Sequence, residues 1–320
     1  MYFCADMQVH LQTRQESHFK KAVITIGSFD GVHAGHAILL EELKYHASLI
    51  GGESAVITFD PHPRTVLQHD ASFKLLSTLE EKIVLFEQTG IDHLYVVNFD
   101  EKFAHQTPKQ YLDDFLIKIF DPAAIVIGYD HRYGSDRSGD ITLMEQHFKH
   151  THTQIIEINP VLIQDIAISS SRIRKALEAG HLEEANKLSG HPYLISGKVI
   201  AGDRIGRQTG FPTANIQIAE LEKAIPADGI YAAVVEIKGS DFEGMAYIGH
   251  RPVIGADLEK VVEVNLFDFD GDLYGKQLNL WLHHYIRPDK KLVSLEELTQ
   301  QLKLDKIETK KYFTQEKITS

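Results

Sequence analysis

The stretch Gly27-Ser28-Phe29-Asp30-Gly31-Val32-His33-Ala34-Gly35-His36 decides the fold of the first half of this 320-residue chain. It completes a β-branched run at residues 21–29. It opens a segment, 36–49, whose apolar residues Leu39, Leu40, Leu43 and Ala47 recur at helical spacing. Strand, tight turn and helix form the opening unit of a parallel sheet covered on both faces. Gly27, Gly31 and Gly35 let backbone approach a ligand closely. His33 and His36, three apart, share one face of the first helical turn. That turn also presents unpaired N–H groups and the positive end of the helix dipole, a place suited to an anion. Two imidazoles there can donate hydrogen bonds to phosphate oxygens. A capping histidine beside a solvated one is the bland alternative, and the glycines with the strand–turn–helix context outweigh it. Zinc is a weaker alternative, because no third ligand follows at a usual spacing.

Outward from this stretch the pattern repeats. Strand-like runs at 54–59, 93–99, 123–128 and 154–158 alternate with helical segments near 78–88, 108–119, 142–149 and 170–179. Ligands of such sheets sit beyond the carboxyl ends of the strands, so the loops after Phe29, Phe59, Phe99 and Gly128 share one rim. Near residue 190 the rhythm changes. Gly190-His191-Pro192 ends a helix at 182–188, and strand then follows strand at 194–200, 230–237, 244–248, 261–267 and 278–285. Turn residues such as Lys238-Gly239-Ser240 separate them, as in an antiparallel barrel or sandwich. A last helix carries Ser294 and Glu297 as a capping box and Leu295, Leu298 and Leu302 as its apolar stripe. The expectation is an α/β chain. An N-terminal Rossmann-like parallel-sheet domain, residues 1–186, precedes an antiparallel β-barrel with a closing helix, residues 187–320.

Composition excludes several classes. Hydrophobic residues are 43% and charged residues 24%, as in ordinary globular chains, and no apolar run approaches the ~18 residues of a membrane span. The opening residues lack the basic-then-apolar pattern of a signal peptide, and the single Cys4 forms no internal disulfide, so a cytoplasmic protein is expected. The net charge is −12. Residues 1–186 hold 16 Lys and Arg against 26 Asp and Glu, and residues 187–320 hold 17 against 19. Neither half offers the basic surface that a nucleic-acid backbone requires. A small anionic substrate, held by a few aimed groups, fits better.

Three further patterns carry chemistry. Ile168-Ser169-Ser170-Ser171-Arg172-Ile173-Arg174 opens a helix, where serines satisfy orphan N–H groups and arginines offer forked donors to phosphate. Gly202, Gly206 and Gly210 recur every four residues, which suggests a flap over phosphates, although neither a P-loop nor GxGxxG is present. Pro212-Thr213-Ala214-Asn215 places a hydroxyl and an amide oxygen on one side of an extended segment, a donor pair for a hard cation such as Mg²⁺. Glu263 interrupts the apolar strand Val261–Leu266 and shares a face with Val261 and Asn265. A wet sheet face is the bland reading of that carboxylate.

The stretch at 27–36, with the serine-rich turn at 168–174, resembles the nucleotidyltransferase superfamily. Gly-x-x-x-Gly-x-x-x-Gly-Phe-Pro-Thr-Ala-Asn over 202–215 of the barrel, with Glu263 and the turn 268–275, resembles riboflavin kinase. Together, with Thr58-Phe59-Asp60-Pro61-His62-Pro63 and the bridge at 185–193, nearly the whole chain resembles the bifunctional prokaryotic riboflavin kinase/FAD synthetases. The resemblance implies ATP-dependent phosphorylation of riboflavin to FMN by the barrel. It implies adenylylation of FMN to FAD and pyrophosphate by the first domain. It implies catalytic roles for His33, His36 and Glu263, and Mg²⁺ on Thr213 and Asn215. It implies ATP contacts from Gly27, Ser28, Phe29, Asp30, Ser169, Ser170, Ser171, Arg172 and Arg174 in one half. In the other it implies them from Gly202, Gly206, Arg207, Gly210 and Pro212. Flavin contacts are implied for Phe59, Pro61, Asp130, Arg132, Tyr274 and Arg287. The chain departs from the family at Asp130-His131-Arg132-Tyr133-Gly134, where Asp-Phe-x-Phe-Gly is usual, at Tyr247–Val253, and at Arg287-Pro288-Asp289. The alternatives are an adenylyltransferase for another phosphorylated cofactor precursor with an accessory barrel, and a flavin-binding regulator without turnover. Oligomeric state stays open.

Overall fold

The computed structural model describes residues 7–11, 19–68, 72–129, 131–159, 162–163, 166–202, 205–251 and 259–319. The chain divides into two compact units, residues 1–75 with 82–169, and residues 76–81 with 170–320.

In the first unit, β1 (Gln8–Leu11), β2 (Val23–Ile26), β3 (Ser54–Asp60), β4 (His93–Asn98), β5 (Ala124–Gly128) and β6 (Gln154–Ile158) form one parallel sheet in the order β1-β4-β3-β2-β5-β6. Helices α1 (Ala34–Ile50), α2 (Pro63–Gln68), α3 (Leu79–Glu87), α4 (Glu101–Ala104), α5 (Pro108–Gln110) and α6 (Ile141–Phe148) connect them, with the start of α3 belonging to the second unit. All four residues of β2 are buried, as are Ser54–Phe59 of β3, which is why both read as unbroken apolar runs. The single helix expected at 108–119 is instead the short α5 followed by a π-helix, Tyr111–Phe120. Its buried residues come as adjacent pairs every four positions (Tyr111 and Leu112, Phe115 and Leu116, Ile119 and Phe120), and a wider winding keeps all six on one face. A short antiparallel pair, β7 (Leu162–Ile163) and β8 (Ile166–Ala167), ends the unit.

The second unit is a closed barrel, as expected. Strands β9 (Tyr193–Ile200), β10 (Ala214–Gln217), β11 (Gly229–Ile237), β12 (Ser240–Arg251), β13 (Glu259–Leu266) and β14 (Gln277–Pro288) run in the order β10-β13-β12-β11-β14-β9. Closure pairs every edge, so no strand is left open to another chain. Helices α7 (Ser170–Glu178) and α8 (Leu182–Ser189) pack with the barrel, α9 (Ile205–Thr209) precedes β10, and α10 (Leu295–Thr319) closes the chain. Asn186 Nδ2 on α8 donates to the carbonyls of Leu282 (2.9 Å) and His283 (3.2 Å) on β14, and Glu183 accepts the Tyr285 N–H (2.9 Å). At the start of α10, Ser294 Oγ accepts the Glu297 N–H at 3.1 Å, while the Glu297 carboxylate takes the N–H of Val293.

Within this unit Glu81 and Lys223 form an ion pair with no side-chain exposure. Lys223 also donates to the carbonyls of Leu76 (2.7 Å) and Leu194 (2.8 Å), and Glu81 accepts the N–H groups of Ser196 (2.7 Å) and Thr78 (2.9 Å). Removing one partner of such a pair strands a charge in a dry interior. Lys223→Met is therefore expected to cost roughly 3–5 kcal/mol, and Glu81→Gln added to it recovers part of that loss. Urea unfolding followed by Trp281, the one tryptophan of the chain, checks this. A single-variant cost below about 1 kcal/mol would show that the pair is not a structural keystone.

Candidate active sites

At the end of β2 the chain turns through three residues with positive φ, namely Phe29 (46°), Gly31 (81°) and Val32 (38°). A β-branched residue is rarely found there, and such strain persists only where surrounding contacts fix it. Phe29 supplies one contact, since its ring is buried and meets Phe86 edge-on at 5.5 Å and His36 at 4.9 Å. His33 then occupies the N-cap of α1. Its own N–H donates to His36 Nδ1 at 3.2 Å, and the two rings stack at 3.6 Å with planes 9° apart. The expected pairing of His33 and His36 on the first helical turn is thus what the structure places there. Asp30 is buried beside them, while Gly27 and Ser28 are half-buried. Burial, then the neighbouring His33 and Lys82, hold His36 well below the ordinary imidazole pKa.

A neutral His36 at a helix N-terminus still offers one ring N–H as a donor to an anion. The backbone around it is anchored from behind. Thr58 Oγ1 on β3 donates to the Ser28 carbonyl at 3.2 Å, and Lys82 on α3 donates to the same carbonyl at 3.0 Å. Lys82 was not legible as a site residue, because Glu80-Glu81-Lys82 at a helix start reads as a solvated charged face.

The remaining residues of the first half are more scattered. Phe59 turns into the core against Phe99 (5.4 Å, edge-on), and Pro61 is exposed after it, following a cis Asp60–Pro61 bond. Arg132 is exposed and pairs with Asp140 at 3.0 Å. Tyr133, in the departing loop, is buried and stacked on Tyr111 at 5.0 Å, and burial pushes its hydroxyl up to about 12. Asp130 lies outside the described residues, as do Cys4 and Pro252-Val253. Ser170 begins α7, with Ser169 and Ser171 exposed at its start. Arg172, on that helix in the second unit, gives two donors to Glu184 (2.8 and 3.2 Å), and Arg174 is half-buried.

The barrel gathers a second group. Residues Asn215 on β10 and Glu263 on β13 are direct cross-strand partners, and Thr213 Oγ1, just ahead of β10, donates to Glu263 Oε2 at 3.0 Å. Hydroxyl, amide and carboxylate oxygens thus meet at one rim of the barrel, the hard-oxygen set that a small divalent cation takes. Asn265 Nδ2 holds the Pro212 carbonyl at 2.7 Å. A methyl group on Gly202 would fall 2.0 Å from the Asn215 amide, so a larger residue there would displace that side chain. Gly206 lies in α9 and Gly210 follows it, but the Arg207 side chain lies outside the described residues. Opposite Glu263 on its other side stands Tyr247 of β12, whose hydroxyl contacts Asp289 at 3.3 Å. Burial first, then Asp289, pushes that hydroxyl up to about 12, so it stays a donor. Tyr274 is largely exposed in the turn after β13. Arg287 makes a two-pronged pair with the buried Asp305 of α10, both contacts at 2.7 Å. That anchoring was hidden in the sequence, where the two residues are 18 positions apart.

Two family models match the chain, FAD synthetase over residues 15–172 and riboflavin kinase over residues 189–313. A bifunctional riboflavin kinase/FMN adenylyltransferase of Bacillus subtilis is 39% identical, over 92% of this chain and 93% of its own length. Its counterpart in Listeria monocytogenes is 36% identical over 91% of this chain and 92% of its own length. The one in Escherichia coli is 34% identical over the same shares. A solved structure from Streptococcus pneumoniae, described as a macrolide-efflux protein, superposes with a TM-score of 0.83 at 29% identity, covering 96% of this chain and 99% of that one. No helix among the described residues of the present chain is long and apolar enough to cross a membrane.

The depressed pKa of His36 has a consequence for stability. The unfolded chain takes up a proton near pH 6.5, and the folded chain only at lower pH. The contribution is therefore complete above about pH 7 and is lost as pH falls through 6.5 toward the folded value. Chemical unfolding at pH 7.5 and 5.5 is expected to show a smaller loss in His36→Gln than in the parent. Equal losses would mean that the imidazole is already charged in the folded turn.

Proposed function

The chain belongs to the bifunctional riboflavin kinase/FMN adenylyltransferase family and carries both activities, and on that premise we propose which residues perform each. For phosphorylation, the observation that carries the reading is the 3.0 Å contact of Thr213 with Glu263, directly across from Asn215. Glu263 takes the proton of the ribityl 5′-hydroxyl as that oxygen attacks the γ-phosphorus of ATP. The bond to the bridging oxygen breaks, and ADP leaves with the electron pair. Thr213 and Asn215 would hold Mg²⁺, which when bound would offset phosphate charge. The backbone at Gly202, Gly206, Gly210 and Pro212, with Arg207, lies along the nucleotide. Tyr274 and Arg287 line the flavin side, where Asp305 fixes the guanidinium.

For adenylylation, a phosphate oxygen of FMN attacks the α-phosphorus of a second ATP, and pyrophosphate departs. The stacked His33 and His36 at the α1 N-terminus donate to the triphosphate. Gly27, Ser28, Phe29 and Asp30 shape the turn that receives it, and Ser169, Ser170, Ser171, Arg172 and Arg174 supply further phosphate donors. Phe59, Pro61, Asp130 and Arg132 take the flavin part. Both reactions are chiefly positioning and charge stabilisation, so preformed donors matter more than covalent chemistry. The single cysteine and acidic composition fit a cytoplasmic enzyme of small-molecule substrates that binds no nucleic acid.

Product analysis after incubation with riboflavin, ATP and Mg²⁺ tests the whole reading, with FMN and then FAD expected. His33→Ala and His36→Ala are expected to stop FAD formation and leave FMN formation largely intact. Loss of FMN formation in a folded variant would overturn that division of labour. Glu263→Gln is expected to lower kinase turnover roughly 10²- to 10⁴-fold, the range for a lost general base, while adenylylation of supplied FMN continues. A loss under about threefold at saturating substrates would favour a merely solvated carboxylate. Thr213→Ala should weaken the Mg²⁺ dependence of FMN formation, and an unchanged titration would remove the metal role.

A further inference from the structure

The turn that bears His33 and His36 is held from beneath by a charged residue that neither reaction has used. Lys82, in the first turns of α3, is only 4% exposed. Its ammonium lies 3.0 Å from the Ser28 carbonyl, 3.3 Å from Thr58 Oγ1 and 3.4 Å from the Phe59 carbonyl. Ser28 is the residue immediately before the left-handed turn, and Phe59 is the last apolar residue of β3 before the exposed Pro61. One side chain from α3 thus ties together the ends of two adjacent strands on the ligand rim of the sheet. An ammonium is costly to desolvate, and a site that needed only volume would take Leu or Met. Thr58 reinforces the same node, because its hydroxyl also donates to Ser28.

We propose that Lys82 is a positioning residue for adenylyl transfer: it clamps the turn after β2 to the end of β3, so that the histidine pair and the strand-end backbone stay at a fixed separation. The clamp acts through backbone carbonyls and so needs no contact with substrate. It also projects positive charge toward the rim. His33, on the same turn, and Lys82, behind it, oppose charge on His36; the carboxyl of Asp30 is buried in the same turn, and the Phe29 ring adds no charge. Together with burial, His33 and Lys82 keep His36 neutral. The inference rests on the triphosphate being seated at this turn.

The test uses the full-length chain with Lys82→Met, which keeps length and removes charge, and with Lys82→Gln, which keeps a donor, as the second variant should Met fail to fold. FMN formation from riboflavin should stay within about twofold, and circular dichroism should show the chain still folded at the assay temperature, with a melting temperature lowered by the loss of buried hydrogen bonds. The kcat of FAD formation from FMN and ATP should fall roughly 10- to 100-fold, as expected when reacting groups are misplaced by an ångström or less, with the KM for ATP nearly unchanged. The acid limb of the FAD-forming pH profile should move to higher pH, because His36 protonates more readily without its positive neighbour. A merely structural lysine would leave that limb and the kcat in place. A folded variant with kcat within fivefold of the parent, or with an unmoved acid limb, overturns the proposal. His36→Ala is run alongside. If it loses FAD formation while Lys82→Met keeps it, the Lys82 role alone fails. If both keep it, the seating of the triphosphate fails, and the clamp with it.

Discussion

Burial of β2 on both faces, between β3 and β5, is the constraint on which the first unit's chemistry depends. Val23, Ile24, Thr25 and Ile26 are all buried, so the strand cannot shift in register without driving polar backbone and Lys21 into the sheet. Its end is therefore a fixed point. From there the chain must reverse into α1 within a few residues, and it does so through left-handed backbone at Phe29, Gly31 and Val32. The two non-glycine positions cost on the order of 1–3 kcal/mol each. Burying the Phe29 ring returns roughly 2 kcal/mol, and the bonds to the Ser28 carbonyl hold the bend from outside. His33 and His36 inherit their separation from this arrangement and not from any contact between functional groups alone.

The barrel reaches the same end by a different route. Its group is set by pairing register, since Asn215 and Glu263 face each other across β10 and β13, and Glu263 and Tyr247 do so across β13 and β12. Directly paired residues on one face of an antiparallel ladder bring their side chains within about 5 Å, so a one-residue slip would send Glu263 to the opposite face. Closure forbids that slip, because every strand is hydrogen-bonded on both sides. The Arg287–Asp305 pair then fastens α10 to the end of β14, close in sequence to Asp289 and its contact with Tyr247.

The parts of this structure that follow local periodicity were legible in the sequence. Strands such as β2, β3 and β11 are continuous apolar runs, and α1 and α8 carry their stripes plainly. The glycines and histidines after β2 marked the first site for the same reason, being local in the chain. Strand β1 escaped notice because Gln8-Val9-His10-Leu11 is short and mixed, and only its parallel pairing with β4 makes it a strand. The π-helix escaped because its buried pairs also fit a 3.6-residue period closely enough to suggest an ordinary helix. Phosphate-binding readings of Arg172 and Arg287 rested on residue type. Their carboxylate partners, Glu184 and Asp305, lie 12 and 18 positions away, beyond any local pattern. Lys82 was hidden in the opposite sense, since its neighbours Glu80 and Glu81 disguise a buried ammonium as a surface charge.

A chain of net charge −12 that takes two polyphosphates cannot rely on its overall field. At physiological ionic strength that field is screened within about 8 Å, so attraction must come from groups at the site itself. On the proposed seating these are, in the first unit, the positive end of the α1 dipole, the imidazoles on it and the ammonium behind it. Burial, His33 and Lys82 keep His36 neutral, so no further positive charge stands beside the Lys82 ammonium before an anion arrives. On the proposed seating, a triphosphate at that helix end would add negative charge next to the ring and shift its proton equilibrium upward, against burial, His33 and Lys82.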